Sequence, residues 1–330
     1  MVLPLLNEER DIGRVLDELG RQQAPPNGFE VLVADGGSED ATRAIVARRS
    51  AAWPALRLLE NPRRLSSAGR NVGARAACGR YILFLDGHCA LPREDYLQRL
   101  VSLFEETGAA CLVRPQPLNR LVTGDWARAI AAARHSRWGH APGSDIYGGA
   151  PGFTDPRSAG AAYRRERLIA LGGYDERFDA CEDVEFNHRL AAAGESAYRH
   201  PDLAVAYRPR ASLGGLWRQM VRYGRGRARL MARHPRFVPW PLLGLSGIGL
   251  ALLAGAFWAP RIAATTVAAG AALWLLLVGA ESIRLGRASG GALRVALSLA
   301  TIQAGLLAGF WRGLPDYPRF RRAPGPDDRL

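Results

Sequence analysis

The chain has 330 residues, enough for one large domain or two ordinary ones at about 100–200 residues each, so a disulfide-stapled miniprotein is excluded. All 44 basic residues are Arg, and the lack of Lys removes Schiff-base chemistry and the P-loop lysine. The formal net charge of +13 is local: residues 1–207 carry 26 Arg against 27 acids, 208–236 carry 9 Arg and no acid, and 237–330 carry 9 Arg against 4 acids. A uniformly basic chain would suggest nucleic acid. A short basic block ahead of apolar segments points instead to anionic headgroups or phosphates at a membrane, with no nucleic-acid partner. Cys78, Cys89, Cys111 and Cys181 have no paired metal spacing, and without a secretory leader the expected setting is reducing and cytosolic.

In chain order, the first apolar run ends at Leu6-Asn7-Glu8-Glu9, and Glu30–Ala34 and Tyr81–Leu85 read as strands buried on both faces. Glu39–Ser50 and Ser66–Cys78 have helical composition between them, with Ser38 and Ser66 as expected caps. Alternating strands and helices predict an α/β domain with a mostly parallel sheet and flanking helices, whose ligand lies at the carboxyl ends of the strands. Gly139–Gly160 is too rich in Gly and Pro for regular structure and reads as a loop that orders over an acceptor. Val184–Ala193 reads as an amphipathic helix. Val238–Trp258 and Ile262–Ala280 are charge-free runs of 21 and 19 residues, long enough to cross a bilayer. Val295–Trp311, at 17 residues with Ser298, Thr301 and Gln303, could cross, re-enter or lie in the interface. These divisions predict a catalytic domain over 1–207, a basic amphipathic interfacial segment over 208–237 and a membrane domain over 238–330.

Asp35-Gly36-Gly37-Ser38 follows one strand, and Asp35 could accept from a base N–H or a ribose hydroxyl, although the residues taken alone favour an ordinary strand-to-helix turn. In Asp86-Gly87-His88, residues two apart on an extended strand end point to one side, and Gly87 leaves room for a bulky ligand. A carboxylate and an imidazole can there grip one cation, with diphosphate oxygens completing a set that suits Mn²⁺ and tolerates Mg²⁺. The alternative is a turn in which His88 caps a helix. Glu182 and Asp183 open a helix, where they either complement its dipole or supply a general base.

Pro4–Glu8 (PLLNE), Asp35–Thr42 (DGGSEDAT), Ala68–Gly79 (AGRNVGARAACG), Asp86-Gly87-His88 and Gly173–Asp183 resemble, in order, the motif series of the family-2 glycosyltransferases with their GT-A fold. The resemblance covers about residues 1–230 and is nearest to the exopolysaccharide (succinoglycan-type) glucosyltransferases, whose metal motif also ends in His. It implies that Pro4, Leu6, Glu8 and Asp35 hold the nucleoside, that Arg70 approaches the base or diphosphate, and that Asp86 and His88 bind the metal beside the nucleotide sugar. Asp183 becomes the base that deprotonates the acceptor, with Glu182 assisting. One base and one metal suffice for a single in-line displacement that inverts the anomeric carbon. Gln219-Met220-Val221-Arg222-Tyr223 resembles the Gln-x-x-Arg-Trp signature of membrane-bound members, with Tyr in place of Trp. Gln219, Arg222 and Tyr223 are thus candidate acceptor-binding residues; a solvated basic helix ahead of a membrane anchor is the competing reading.

Two features depart from the family. The chain opens Met1-Val2-Leu3-Pro4, shorter than usual before the first Pro, which suggests a coding start upstream. Arginines ahead of Val238 and at Arg319, Arg321 and Arg322 favour the cytosolic side for both, hence an even number of crossings. The expectation is a metal-dependent (Mn²⁺ or Mg²⁺) inverting glycosyltransferase at the cytosolic face of the cytoplasmic membrane. It would move glucose from UDP-glucose to a polyprenyl-diphosphate-linked saccharide for an exported polysaccharide. A polyprenyl-phosphate or lipid glycosyltransferase and an inactive membrane scaffold are the alternatives. A dehydrogenase is excluded because Leu5-Leu6-Asn7-Glu8 has no glycine-rich turn.

Overall fold

The apolar runs become strands. β1 (Val2–Leu5), β2 (Val31–Asp35), β3 (Leu56–Glu60), β4 (Tyr81–Leu83), β5 (Cys111–Val113), β6 (Gly152–Thr154), β7 (Ala162–Arg164) and β8 (Ala197–Arg199) occur in a computed structural model. It describes residues 1–118, 122–139, 145–158, 160–237, 259–323 and 330, with scattered positions from 239 to 254. The chain separates into two units, one of Met1–Leu121, Gly143–Arg208 and Pro324–Leu330, the other of Val122–Pro142 and Pro209–Ala323.

In the first unit, β1, β2 and β3 pair in parallel with β2 central. Val31, Leu32, Val33 and Ala34 are wholly buried, as a strand covered on both faces requires. A parallel bridge from Val2 to Phe84 carries this sheet into a second one ordered β4-β7-β5-β8-β6. There β7 runs antiparallel to β4 and β5, β5 and β8 are parallel, and β6 is antiparallel to β8. The sheet is thus parallel on one side and mixed on the other, as in GT-A folds. α1 (Ile12–Gly20), α2 (Thr42–Ser50), α3 (Ser66–Ala76), α4 (Tyr96–Thr107), α6 (Arg165–Ala170) and α7 (Glu182–Ala192) also belong to this unit. α3 lies unusually close to β1: a Cβ at Gly73 would collide with the Val2 side chain, an overpacking that costs about 1–3 kcal/mol where the surroundings cannot yield.

The expected caps are not used. α2 starts at Thr42, after Ser38, and α3 has Leu65 at its N-cap position with Ser66 as its first residue. Ser38 Oγ instead donates to Asp35 Oδ1 at 2.5 Å and accepts the Asn7 N–H at 2.9 Å, because the buried Asp35 competes for the hydroxyl. Part of Gly139–Gly160 is regular after all: Gly152–Thr154 pairs with β8, and Asp145 is held by Arg199 and by the Thr154 hydroxyl.

The second unit contains α5 (Asp125–His135), α8 (Leu213–Arg233), α9 (Pro260–Gly286), α10 (Ala292–Gly313) and α11 (Tyr317–Arg321). α5, read by sequence as part of the catalytic domain, packs Ala129, Ile130 and Ala133 against Leu216, Met220, Val278, Val295, Leu299 and Ile302. Pro260–Gly286 and Ala292–Arg321 are each long and apolar enough to cross a membrane. Ile262, Leu273, Leu275 and Leu276 face outward from α9. Most of Val238–Trp258 lies outside the described residues. α8 and α10 touch through glycines: a Cβ at Gly309 would meet the Val221 carbonyl, and one at Gly305 would lie 2.7 Å from Met220 Cβ. Arg225 and Arg229 of the basic block pair with Asp316, while Arg218 and Arg222 are exposed.

Candidate active site

The motif spanning residues 173–183 is fastened to α3. Asn71 accepts the Tyr174 N–H at 2.9 Å and donates to the Tyr174 carbonyl and to Glu176 Oε1, each at 2.9 Å; all three residues are buried. Ser67 Oγ donates to the Phe178 carbonyl at 2.9 Å, and Arg75 pairs with Glu176 at 3.0 Å. Cys181 then turns the chain with φ 63°, a left-handed conformation uncommon for a residue with a Cβ, and α7 begins immediately at Glu182. Local sequence reading places this helix start at Val184; the turn at Cys181 brings both carboxylates into its first turn.

This fastening sets Arg70 of α3 between Asp86, after β4, and Glu182 at the start of α7. Its Nη1 is paired with Glu182, its Nη2 is 3.4 Å from Asp86 Oδ1, and its guanidinium lies 5.6 Å from the Tyr174 ring centroid. Ser66 Oγ donates to Glu182 at 3.3 Å. One arginine therefore touches both the expected cation motif and the expected base pair. The floor beneath is apolar and aromatic, with Tyr174 packed edge-on against Phe84 at 5.3 Å and tilted against Phe186 at 5.3 Å. Charges on such a floor interact more strongly than in water. Burial would push Asp86 up, but Arg114, then Arg70 and His88, outweigh it and hold the carboxyl down to about 2. Asp183 goes the other way: burial and then Glu182 raise its pKa, against the pull of Arg70. Two carboxylates in one cluster are thereby driven apart, one fixed as an anion and one made more basic.

Among the described residues no group of three or more His, Cys, Asp and Glu could hold a metal by itself. Asp86 and His88 nevertheless fit a shared cation. Glu8 Oε1 lies 3.1 Å from His88 Nδ1, a carboxylate–histidine contact that would orient the imidazole and leave Nε2 for a cation. The Tyr207 ring meets the imidazole edge-on at 5.6 Å. Gly87 has a different use from the room for ligand its sequence suggests: a Cβ there would fall 2.5 Å from Leu5 Cδ2 and 3.1 Å from Glu8 Cγ. The glycine lets the end of β1 close on the Asp86–His88 turn.

Among the residues expected to hold the nucleoside, Pro4 lies in β1 and Leu6 is exposed, and Asn7 between Leu6 and Glu8 turns the chain with φ 56°. Glu8 faces His88 as described. Asp35 is fully buried, and its oxygens accept the Gly37 and Ser38 N–H groups at 3.0 Å, the Ser38 hydroxyl, and Arg43 at 2.9 Å. Burial raises its pKa, and these donors together bring it below the usual range. In the second unit, Gln219 Nε2 donates to the Tyr223 hydroxyl at 3.2 Å, and Arg222 is exposed one turn from Arg218. Sequence reading missed Arg114, which follows β5 and approaches Asp86 Oδ2 to 3.5 Å. Asn71, within Ala68–Gly79, and Tyr174, within Gly173–Asp183, have no role legible in their own neighbours. Nothing in the sequence marks Arg114, a single Arg after a three-residue strand.

The family model for glycosyl transferase family 2 matches residues 1–170. The chain is 33% identical over 328 residues to the succinoglycan biosynthesis protein ExoA of Rhizobium meliloti, covering 97% of this chain and 96% of that protein. It is 22% identical over 244 residues to a dolichyl N-acetyl-alpha-D-glucosaminyl phosphate 3-beta-D-2,3-diacetamido-2,3-dideoxy-beta-D-glucuronosyltransferase of Methanococcus voltae, covering 71% and 74%. Among solved structures, the mannosyltransferase PcManGT of Pyrobaculum calidifontis, in complex with GDP-Man and Mn²⁺, superposes with a TM-score of 0.64 at 22% identity over 95% of this chain and 86% of that one. With a carboxylate after a strand and another at a helix start converging on one arginine, and more than half of the length matched, the chain is a glycosyltransferase and belongs to glycosyl transferase family 2.

Proposed function

We propose that the chain is an inverting, divalent-metal-dependent glycosyltransferase that moves a hexose, with UDP-glucose as the leading donor, to a lipid-linked saccharide at a membrane. The observation that carries this reading is the bridging of Asp86 and Glu182 by Arg70, with Asp183 next in the chain. Asp86 and His88 would hold Mn²⁺ or Mg²⁺, which supplies neutralisation of the charge that builds on the leaving diphosphate. Glu8 orients His88, and Arg70 offers donors to the phosphate. Asp183 takes the proton from the attacking acceptor hydroxyl, a task its raised pKa favours. No second carboxylate is needed as a nucleophile, so an α-linked nucleotide sugar gives a β-linked product. Pro4 and Leu6 would meet the nucleoside at the end of β1, with the buried Asp35 holding the Gly37-Ser38 turn beside it, and Gln219, Arg222 and Tyr223 would serve the acceptor.

The lipid-linked acceptor is supported by α9 and α10, by the exposed Arg218 and Arg222 on α8, and by the relatives' named roles in succinoglycan biosynthesis and in transfer to a dolichyl phosphate sugar. The arginines of α8 and of the 319–322 tail favour a catalytic unit on the cytosolic face. The test is transfer of labelled sugar from UDP-glucose, with GDP-mannose and UDP-N-acetylglucosamine alongside, into organic-extractable lipid by membranes containing the full chain. Transfer that EDTA abolishes and Mn²⁺ or Mg²⁺ restores is expected. Absence of transfer from every donor, with the protein folded, rejects the reading.

A further inference from the structure

Arg114 closes the C-terminal end of β5 on a well-held stretch of backbone, where the Pro115 carbonyl accepts the Val205 N–H at 2.9 Å. Its side chain is only 7% exposed. Nη2 lies 3.5 Å from Asp86 Oδ2, while Arg70 Nη2 lies 3.4 Å from Asp86 Oδ1, so both oxygens of one carboxylate are answered by guanidinium groups. The Nε and Nη1 atoms of Arg114 are enclosed and have no hydrogen-bond acceptor among the described residues. Enclosed guanidinium donors without an acceptor are costly, and a native fold keeps them where something else supplies one.

These facts constrain what Asp86 can do alone. A dication approaching it meets a carboxylate already neutralised, with two like charges beside it. A diphosphate reverses the balance: its oxygens accept from Arg114, and they give the cation the anionic ligands that two protein side chains cannot complete. We propose that Arg114 is a diphosphate-binding residue that makes cation loading at Asp86 and His88 depend on the nucleotide. The cation then enters with the nucleoside diphosphate and not ahead of it. The inference rests on the glycosyltransferase reading of the same site and deepens it.

The experiment uses the full chain in detergent, with its thermal transition as the check on folding. Mn²⁺ alone is titrated by the loss of the free-ion EPR signal, and UDP and GDP are titrated calorimetrically at saturating Mn²⁺. Arg114→Met is expected to tighten Mn²⁺ alone by about tenfold or more and to weaken the nucleotide by about tenfold or more, opposite signs that a general loosening of the fold cannot produce. Arg114→Lys keeps the charge and loses the fork, so Mn²⁺ alone stays as in the wild type and the nucleotide weakens less than in Arg114→Met. An Arg114→Met chain that melts normally and binds both probes more weakly, or both as before, overturns the inference. If Arg114→Met does not melt cooperatively, Arg114→Lys decides, and nucleotide affinity equal to wild type overturns it. A wild-type chain that takes neither UDP nor GDP with Mn²⁺ rejects the glycosyltransferase reading itself, and this inference with it.

Discussion

Replacing Arg70 by Met removes a group that pairs with both Asp86 and Glu182, while roughly keeping its length and its apolar contact with Tyr174. The side chain is 13% exposed, and Glu182 is 10% exposed, so water cannot replace the lost partner at that end. Deleting one member of a buried pair costs about 3–5 kcal/mol, because the survivor is left as an uncompensated charge. Asp86 is 30% exposed at 3.4 Å and also has Arg114, so it adds little to that figure. For a cooperative unit of ordinary size the penalty corresponds to a fall in Tm of roughly 10 °C. The assay is thermal unfolding of the full chain followed by intrinsic fluorescence, for Arg70→Met, Glu182→Gln and the double variant. If Glu182 is the stranded charge, Glu182→Gln recovers part of the loss in the Arg70→Met background, with a coupling of about 1–3 kcal/mol. A Tm for Arg70→Met near the wild type, or a double variant no better than the sum of the singles, would refute the idea that this arginine holds the cluster together.

Other predictions follow from the same geometry. Asp183→Asn should lower kcat by about 10²–10⁴-fold while leaving nucleotide affinity within a few-fold, since a base acts on the acceptor. The same variant should melt at a higher temperature at neutral pH. A carboxyl whose folded pKa is raised disfavours the fold once it ionises, and the amide removes that penalty together with the repulsion from Glu182. The kcat–pH profile should have a single acid limb above the usual carboxylate range, belonging to Asp183, because Asp86, held down to about 2, stays ionised throughout. The limb should vanish in the residual activity of Asp183→Asn; a limb that persists there belongs to another group. Glu8→Gln should weaken Mn²⁺ in the presence of UDP by about 10–100-fold with no change in Tm large enough to explain it. Gly309→Leu should disrupt the packing of α10 on α8, since the new side chain meets the Val221 carbonyl, and the variant should elute as aggregate in detergent.

What the sequence made legible was whatever depends on neighbours along the chain. Val31–Ala34 announces a strand by continuous apolarity, and Asp86-Gly87-His88 announces a site by following one. The apolar length of α9 is plain from composition alone. What stayed hidden depends on contacts far apart in sequence. Ser38 resembles a cap until Asp35, buried beneath it, claims the hydroxyl. Glu8 reads as a nucleoside ligand, yet it meets His88 eighty positions on. Gly87 looks like space for a ligand and is space for Leu5. α5 is amphipathic either way, and nothing in its own residues says that its apolar face meets the helices of the second unit. Arg114 was invisible because a single Arg after a three-residue strand has no spacing to recognise; only the fold brings it to Asp86.

In the proposed reaction, a leaving diphosphate at Asp86 and a proton acceptor at Asp183 act on one sugar carbon from opposite sides. The most direct measurement is the anomeric configuration of the lipid-linked product formed from an α-linked nucleotide sugar, read by proton NMR of the purified glycan. A β-linkage is predicted. An α-linkage would contradict the single displacement and require a nucleophile that this site does not assign.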